Sequence, residues 1–254
     1  MNPVVIRNVK IGEGMPKICV PIVGVTEKEI VETARQIHDT PADLVEWRVD
    51  WFEGAFETQR VKLVLLQIRA ILGDMPILFT FRTPKEGGEK SITPEAYRNL
   101  LSEIAMTRWV DIIDVEVFCE GGAVELLAGI RSLGVKVIGS NHIMTETPDR
   151  AEMVRRLRYM KDVGVDIPKL AVMPQCKEDV SLLLEVTREI HEEFADRPIV
   201  TISMGEIGTV SRVSGEKFGS AMTFGAFQKA SAPGQLSVYE LKEIMEVLHR
   251  EQKQ

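Results

Sequence analysis

Residues 135–173 read VKVIGSNHIMTETPDRAEMVRRLRYMKDVGVDIPKLAVM, and the order of patterns inside this stretch decides the fold. An apolar run of strand length, 135–141, gives way to a segment of helical period, and a second strand-length run follows at 169–173. Two strands joined through a helix run parallel, because a tight turn joins only antiparallel neighbours. Working outward, the same alternation predicts strands at 17–23, 44–50, 77–82, 112–118, 199–204 and 221–226, eight in all. Eight parallel strands with helical crossovers in 254 residues point to a closed (β/α)8 TIM barrel in preference to a doubly wound open sheet. Residues 4–11 precede the first of these strands and are expected to form a short hairpin or plug.

Helix starts are marked by side chains that satisfy the otherwise unpaired first-turn amides. Thr26 with Glu29 and Ser237 with Glu240 have capping-box spacing, and Thr93-Pro94 and Thr147-Pro148 put proline in a first turn. Ile30, Val31, Ala34 and Ile37 then share one apolar helix face, as do Leu182, Leu183, Val186 and Ile190. At roughly 150 residues per domain, the chain is expected to be one domain over 1–254. The polar 250–254 tail is expected to fray.

Composition narrows the partners. Lys and Arg number 31 against 38 Asp and Glu, a net charge of −7 that argues against a nucleic-acid or anionic-membrane footprint. No window approaches the ~20 apolar residues of a membrane span, and residues 1–14 lack a secretory pattern, so the expected location is the cytoplasm. Cys19, Cys119 and Cys176 are too widely spaced for a zinc motif or a disulfide framework, and the four histidines are not clustered, so no metal is expected.

The chemistry is carried by polar residues at strand ends. Glu46, Arg48 and Asp50 share one strand face, as do Thr80 and Arg82, and Asp114 and Glu116. In a barrel both faces of each strand are covered, so such charges belong at the C-terminal mouth, where partners or a ligand offset their desolvation. An internal ion-pair network would use the same residues. Lys169, Ala171 and Met173 fall on one side of the sixth strand, and an inward Lys169 amine would lose its proton more readily and attack a carbonyl; the alternative is a strand-entry lysine reaching solvent. His142 ends the fifth strand where it can move protons, with Glu86 after the third strand as its candidate partner. Gly205, Gly208 and Arg212, followed by the 228–236 loop with Ser231 and Gln235, form candidate anion-binding and lid segments.

Glu46-Trp47-Arg48-Val49-Asp50, Phe81-Arg82-Thr83, Asp114-Val115-Glu116-Val117, Ser140-Asn141-His142, Lys169, Arg212 and Ser231-Ala232-Pro233-Gly234-Gln235 together resemble the type I 3-dehydroquinate dehydratase family, in order over nearly the whole chain. The resemblance implies a cytoplasmic hydro-lyase of the shikimate pathway, a homodimer without metal or organic cofactor. It would convert 3-dehydroquinate to 3-dehydroshikimate. By the same resemblance Lys169 forms an imine with the substrate ketone, His142 is the acid and base, and Glu86 tunes His142. Glu46, Arg48 and Arg82 address the hydroxylated ring, Arg212 and Gln235 the carboxylate, and Ser231 is a lid contact. One position departs: the family usually has Asp or Asn directly after the histidine, where this chain has Ile143, so a contact near His142 is expected to be missing. An aldolase-like lyase would also use an inward lysine, but would give two carbonyl fragments instead of a conjugated product. A silent barrel would bind a polyhydroxylated carboxylate without turnover or a borohydride-trapped adduct.

Overall fold

The computed structural model describes residues 2–119, 122–194 and 196–251. Its elements run β1 (Val4–Ile6), β2 (Val9–Ile11), β3 (Lys17–Ile22), α1 (Glu27–Ile37), β4 (Leu44–Arg48), α2 (Thr58–Leu72), β5 (Ile77–Thr80), α3 (Pro94–Thr107), β6 (Ile112–Glu116), α4 (Val124–Ser132) and β7 (Lys136–Ile143). They continue as α5 (Arg150–Asp162), β8 (Ile167–Val172), α6 (Lys177–Glu193), β9 (Val200–Ser203), α7 (Thr209–Val213), α8 (Gly215–Phe218), β10 (Met222–Phe224) and α9 (Val238–Glu251). β3 to β10 form one parallel sheet in the order β10-β3-β4-β5-β6-β7-β8-β9. Its two ends meet at the parallel bridge Ile199↔Ser220, beside which Ala221 N donates to Ile199 O at 2.8 Å. The expected barrel is therefore the observed one.

Strand alternation divides the apolar residues into two layers. Val45 and Trp47 of β4, Ile113 and Val115 of β6, and Leu170 and Val172 of β8 face outward and pack under Ile30, Leu65, Ile104 and Leu183 of the helices. Leu44, Leu78, Ile112, Ile138, Ile167 and Val200 face inward and fill the lower barrel. The antiparallel pair β1–β2 is the expected N-terminal hairpin, and its Ile6 and Ile11 belong to this inner cluster, closing the lower end.

Three of the four helix starts expected from the sequence are observed where expected. Thr26 and Glu29 form the full capping box, Thr93 accepts from Ala96 N with Pro94 opening α3, and Ser237 and Glu240 exchange hydrogen bonds before α9. The start expected at Thr147-Pro148 lies slightly later: Asp149 accepts from Glu152 N, and α5 opens at Arg150. Two strand ends also differ. β4 stops at Arg48, and Asp50 sits in a 3-10 turn, Val49–Trp51, where its carboxylate grips the Arg48 side chain. β7 runs to Ile143, so His142 lies within the strand. α9 extends to Glu251, whereas residues 252–254 of the tail expected to fray lie outside the described residues. Among the described residues Cys19 is buried, Cys176 exposed and Cys119 intermediate, all three free.

Candidate active site

Above the apolar inner layer the inward positions turn polar. Glu46 and Arg48 rise from β4, Thr80 from β5, Asp114 and Glu116 from β6, Ser140 and His142 from β7, and Lys169 from β8. Parallel register sets Ser140 beside Lys169 and His142 beside Ala171, so the imidazole sits one pleat nearer the mouth than the amine's neighbour. The nine residues to which the resemblance assigns a catalytic or substrate-binding role line one cavity: Glu46, Arg48, Arg82, Glu86, His142, Lys169, Arg212, Ser231 and Gln235. Gly87, Met144, Ala171, Ile202, Met204, Phe224, Ala232 and Pro233 complete the walls.

Lys169 is 4% exposed, with Nζ 3.9 Å from Asp114 Oδ2 and 4.2 Å from the Phe224 ring centroid. Burial pushes its amine below the usual lysine range, against the pull of Asp114 and Glu46. Ala171, one pleat above on the same strand, leaves space over the amine.

Arg82 is the hub of the floor. Nη1 donates to Ser140 Oγ at 2.9 Å, Glu116 Oε1 at 3.1 Å and Glu86 Oε2 at 3.4 Å, while Nη2 donates to Asp114 Oδ2 at 2.8 Å. Its pKa rises well above the ordinary value because those three carboxylates outweigh its burial. The internal ion-pair network and the cavity wall are thus one structure. Arg48 is held in the same way, through two 2.8 Å bonds to Asp50, and its Nη1 reaches Ser231 O at 3.3 Å. Glu46 accepts from Thr80 Oγ1 at 2.8 Å.

Glu86 sits in the 3-10 turn Pro84–Glu86, closed by Gly88 N donating to Thr83 O at 2.8 Å. Its Oε2 lies 2.9 Å from His142 Nδ1 and accepts from His142 N at 2.9 Å, and its Oε1 accepts from Asn141 Nδ2 at 2.9 Å. Burial raises the Glu86 carboxyl to about 8 despite Arg82. Burial, then Arg82, Lys169 and Arg48, hold His142 well below its ordinary value, so the imidazole is neutral near pH 7. Ile143 points the other way and packs against the outer apolar layer, and Glu86 still grips the ring.

Arg212 differs from the other two arginines. It is 2% exposed, Nη2 donates to Pro233 O at 2.7 Å, and Nε has no partner among the described residues. Burial alone lowers it to about 10. A desolvated cation with a free donor is an anion receptor. The loop above it is folded on itself: Gln235 accepts from Ser231 N at 2.9 Å and donates to Ser231 Oγ at 3.1 Å. Gly234 rests against the loop after β9, where a Cβ would lie 2.2 Å from Gly205 O.

Sequence reasoning left Asn141, Arg156 and Phe224 out of the site. Asn141, quoted only within the Ser140-Asn141-His142 run and given no role, faces outward from β7, and Arg156 lies on α5, where no sequence pattern pointed to the site. Phe224 had a signal, since it shares the inward face of β10 with Met222. Among the described residues no group of three His, Cys, Asp or Glu side chains is arranged to hold a metal ion.

Residues 18–252 match the family described as type I 3-dehydroquinase. A 3-dehydroquinate dehydratase of Clostridioides difficile (strain 630) is 48% identical over 246 residues, 96% of either chain. One of Listeria innocua serovar 6a is 48% identical over 252 residues, 99% of this chain and 100% of the relative. The solved type I 3-dehydroquinate dehydratase of Clostridium difficile with covalent modified comenic acid aligns with a TM-score of 0.94 at 47% identity, over 98% of both chains. That of Geobacillus kaustophilus HTA426 aligns at 0.95 and 32% identity, over 98% of this chain and 99% of the other.

Proposed function

The chain belongs to the type I 3-dehydroquinase family, and from that premise we propose that Lys169 forms a Schiff base while His142, held by Glu86, moves the protons. The reaction is the dehydration of 3-dehydroquinate in the shikimate pathway by a hydro-lyase. Within it, the Lys169 amine adds to the ring ketone and loses water to give an iminium ion. That cation draws electrons more strongly than the ketone did, so an adjacent carbon gives its proton to His142 and an enamine forms. The enamine expels the neighbouring tertiary hydroxyl as His142 returns the proton, and one water leaves. Hydrolysis of the conjugated iminium restores Lys169 and releases 3-dehydroshikimate, consuming the water that its formation released.

Asp114, 3.9 Å from Nζ, offsets the positive charge that the iminium fixes on that nitrogen. Above the pH at which Glu86 ionises, about 8, Nδ1 holds the ring proton and Nε2 offers its lone pair to the cavity. Arg212 and Gln235 take the substrate carboxylate, Ser231 closes behind it, and Glu46, Arg48 and Arg82 meet the ring hydroxyls. The observation that carries this reading is the meeting, in one cavity, of a desolvated amine, a neutral imidazole and a guanidinium with an unpaired Nε. The solved Clostridium difficile relative is described with covalent modified comenic acid, which supports a covalent route for this chain. The homodimer and the cytoplasmic location belong to the same proposal, and sedimentation of the purified chain tests the first. Among the described residues no helix is long and apolar enough to cross a membrane.

Borohydride added together with 3-dehydroquinate should leave a reduced adduct on the peptide containing Lys169, read by mass spectrometry. Lys169→Ala should abolish both adduct and turnover. Full turnover by Lys169→Ala would refute the covalent route.

A further inference from the structure

Behind Glu86 a second, larger cavity opens among the loop after β5, the start of α3 and the ends of β6 and β7, and it shares Glu86 and His142 with the first. Arg156 of α5 crosses its wall. Nε donates to Glu152 Oε1 at 2.7 Å, the guanidinium stacks 4.8 Å from the Phe118 ring centroid, and Nη1 donates to Asn141 Oδ1 at 2.7 Å. Asn141, 5% exposed, donates through Nδ2 to Glu86 Oε1 at 2.9 Å. A guanidinium is donor-only, so it fixes which end of the amide faces it. With Oδ1 committed to Arg156, the amide NH2 has to face Glu86. Without Arg156 the amide is free to turn its oxygen toward the carboxylate.

The geometry points to Arg156 as a positioning residue that acts through Asn141 on the Glu86–His142 pair and sets the pH at which Glu86 ionises. The inference rests on the proposed role of that pair and adds a residue outside the cavity to it. The Glu86 carboxyl is faced by Arg82 at the base of its own turn, by Asp114 and Glu116 of β6, and by His142 of β7, with Lys169 and Arg48 acting on the imidazole. The side-chain contacts of Arg156 are with Glu152, Asn141 and Phe118, and none of the charged groups around Glu86 and His142 is among them. Loss of one oriented donor to the carboxylate disfavours the ionised form, so the pKa rises.

Arg156→Met keeps the apolar stem and removes the donors, and Arg156→Lys restores a donor-only cation. Two readouts are followed in each: the titration of the His142 ring nitrogens by NMR without substrate, and the pH profile of kcat/KM. In Arg156→Met the NMR midpoint reporting Glu86 should move up by about one pH unit, and the acidic limb of kcat/KM should move with it, with Arg156→Lys reverting most of the shift. An NMR midpoint that moves while the kcat/KM profile stays fixed upholds the relay and overturns the catalytic role of the pair. An NMR midpoint that stays put in folded Arg156→Met, or in folded Asn141→Leu should Arg156→Met not fold, overturns the relay.

Discussion

Arg212 is buried beside a backbone carbonyl with its Nε unsatisfied, whereas Arg48 and Arg82 are both neutralised by carboxylates. An uncompensated buried charge costs stability, and a bound carboxylate would offset that cost. Arg212→Met is therefore expected to raise KM by about 10²-fold. It should also raise the melting temperature of the substrate-free protein, a trade that calorimetry beside steady-state kinetics can read. A lower melting temperature with unchanged KM would remove Arg212 from the anion site. At this scale the sequence was legible wherever a residue's face followed from strand parity: Glu46, Arg48 and Lys169 all point inward as alternation requires. It was not legible for Asn141, which parity puts on the outer face. Its reach to Glu86 depends on where the turn after β5 returns, and no local pattern encodes that return.

Among the elements, the turn from Thr83 to Gly88 has the least room. A Cβ on Gly88 would lie 1.8 Å from Arg82 O, so only glycine fits there, and the turn it permits carries Glu86 back to His142. Gly88→Ala should force that backbone apart and lower kcat/KM by about 10²-fold, since an ångström of misplacement has that effect. Gly129 in α4 is the control: nothing lies within 4 Å of its would-be Cβ. Gly129→Ala should leave the kinetics alone and add about 0.5–1 kcal/mol of stability. Element types were readable because period and caps agreed, while ends were less so. Asp50 reads as the last inward residue of a strand, but pairing with Arg48 from a 3-10 turn satisfies its charge better than another pleat would. Thr147-Pro148 suggested a helix start that the Asp149 cap places two residues later, at Arg150.

Across the whole molecule, the barrel interior is graded from the apolar layer sealed by Ile6 and Ile11 to the charged layer at the mouth. Ile11 is 1% exposed, so Ile11→Ala should cost about 2–5 kcal/mol in urea unfolding. The change lies at the end opposite the cavity, so KM and the pH profile at 25 °C should stay as in the parent; a changed profile would mean that the two ends are mechanically coupled. The barrel as a whole was legible because eight strand–helix alternations admit few closed topologies. The site's connections to the helices were not, because they depend on side chains that reach between layers.

The circle of strands is joined most thinly at Ile199↔Ser220, between β9 and β10. Arg212 hangs from the first of these strands and the Ser231–Gln235 loop from the second, so an occupant gripped by both spans the joint like a tie-rod. Breathing of the staves at that point and residence of the guest then oppose each other, and the weakest weld in the wall becomes the one that cargo reinforces.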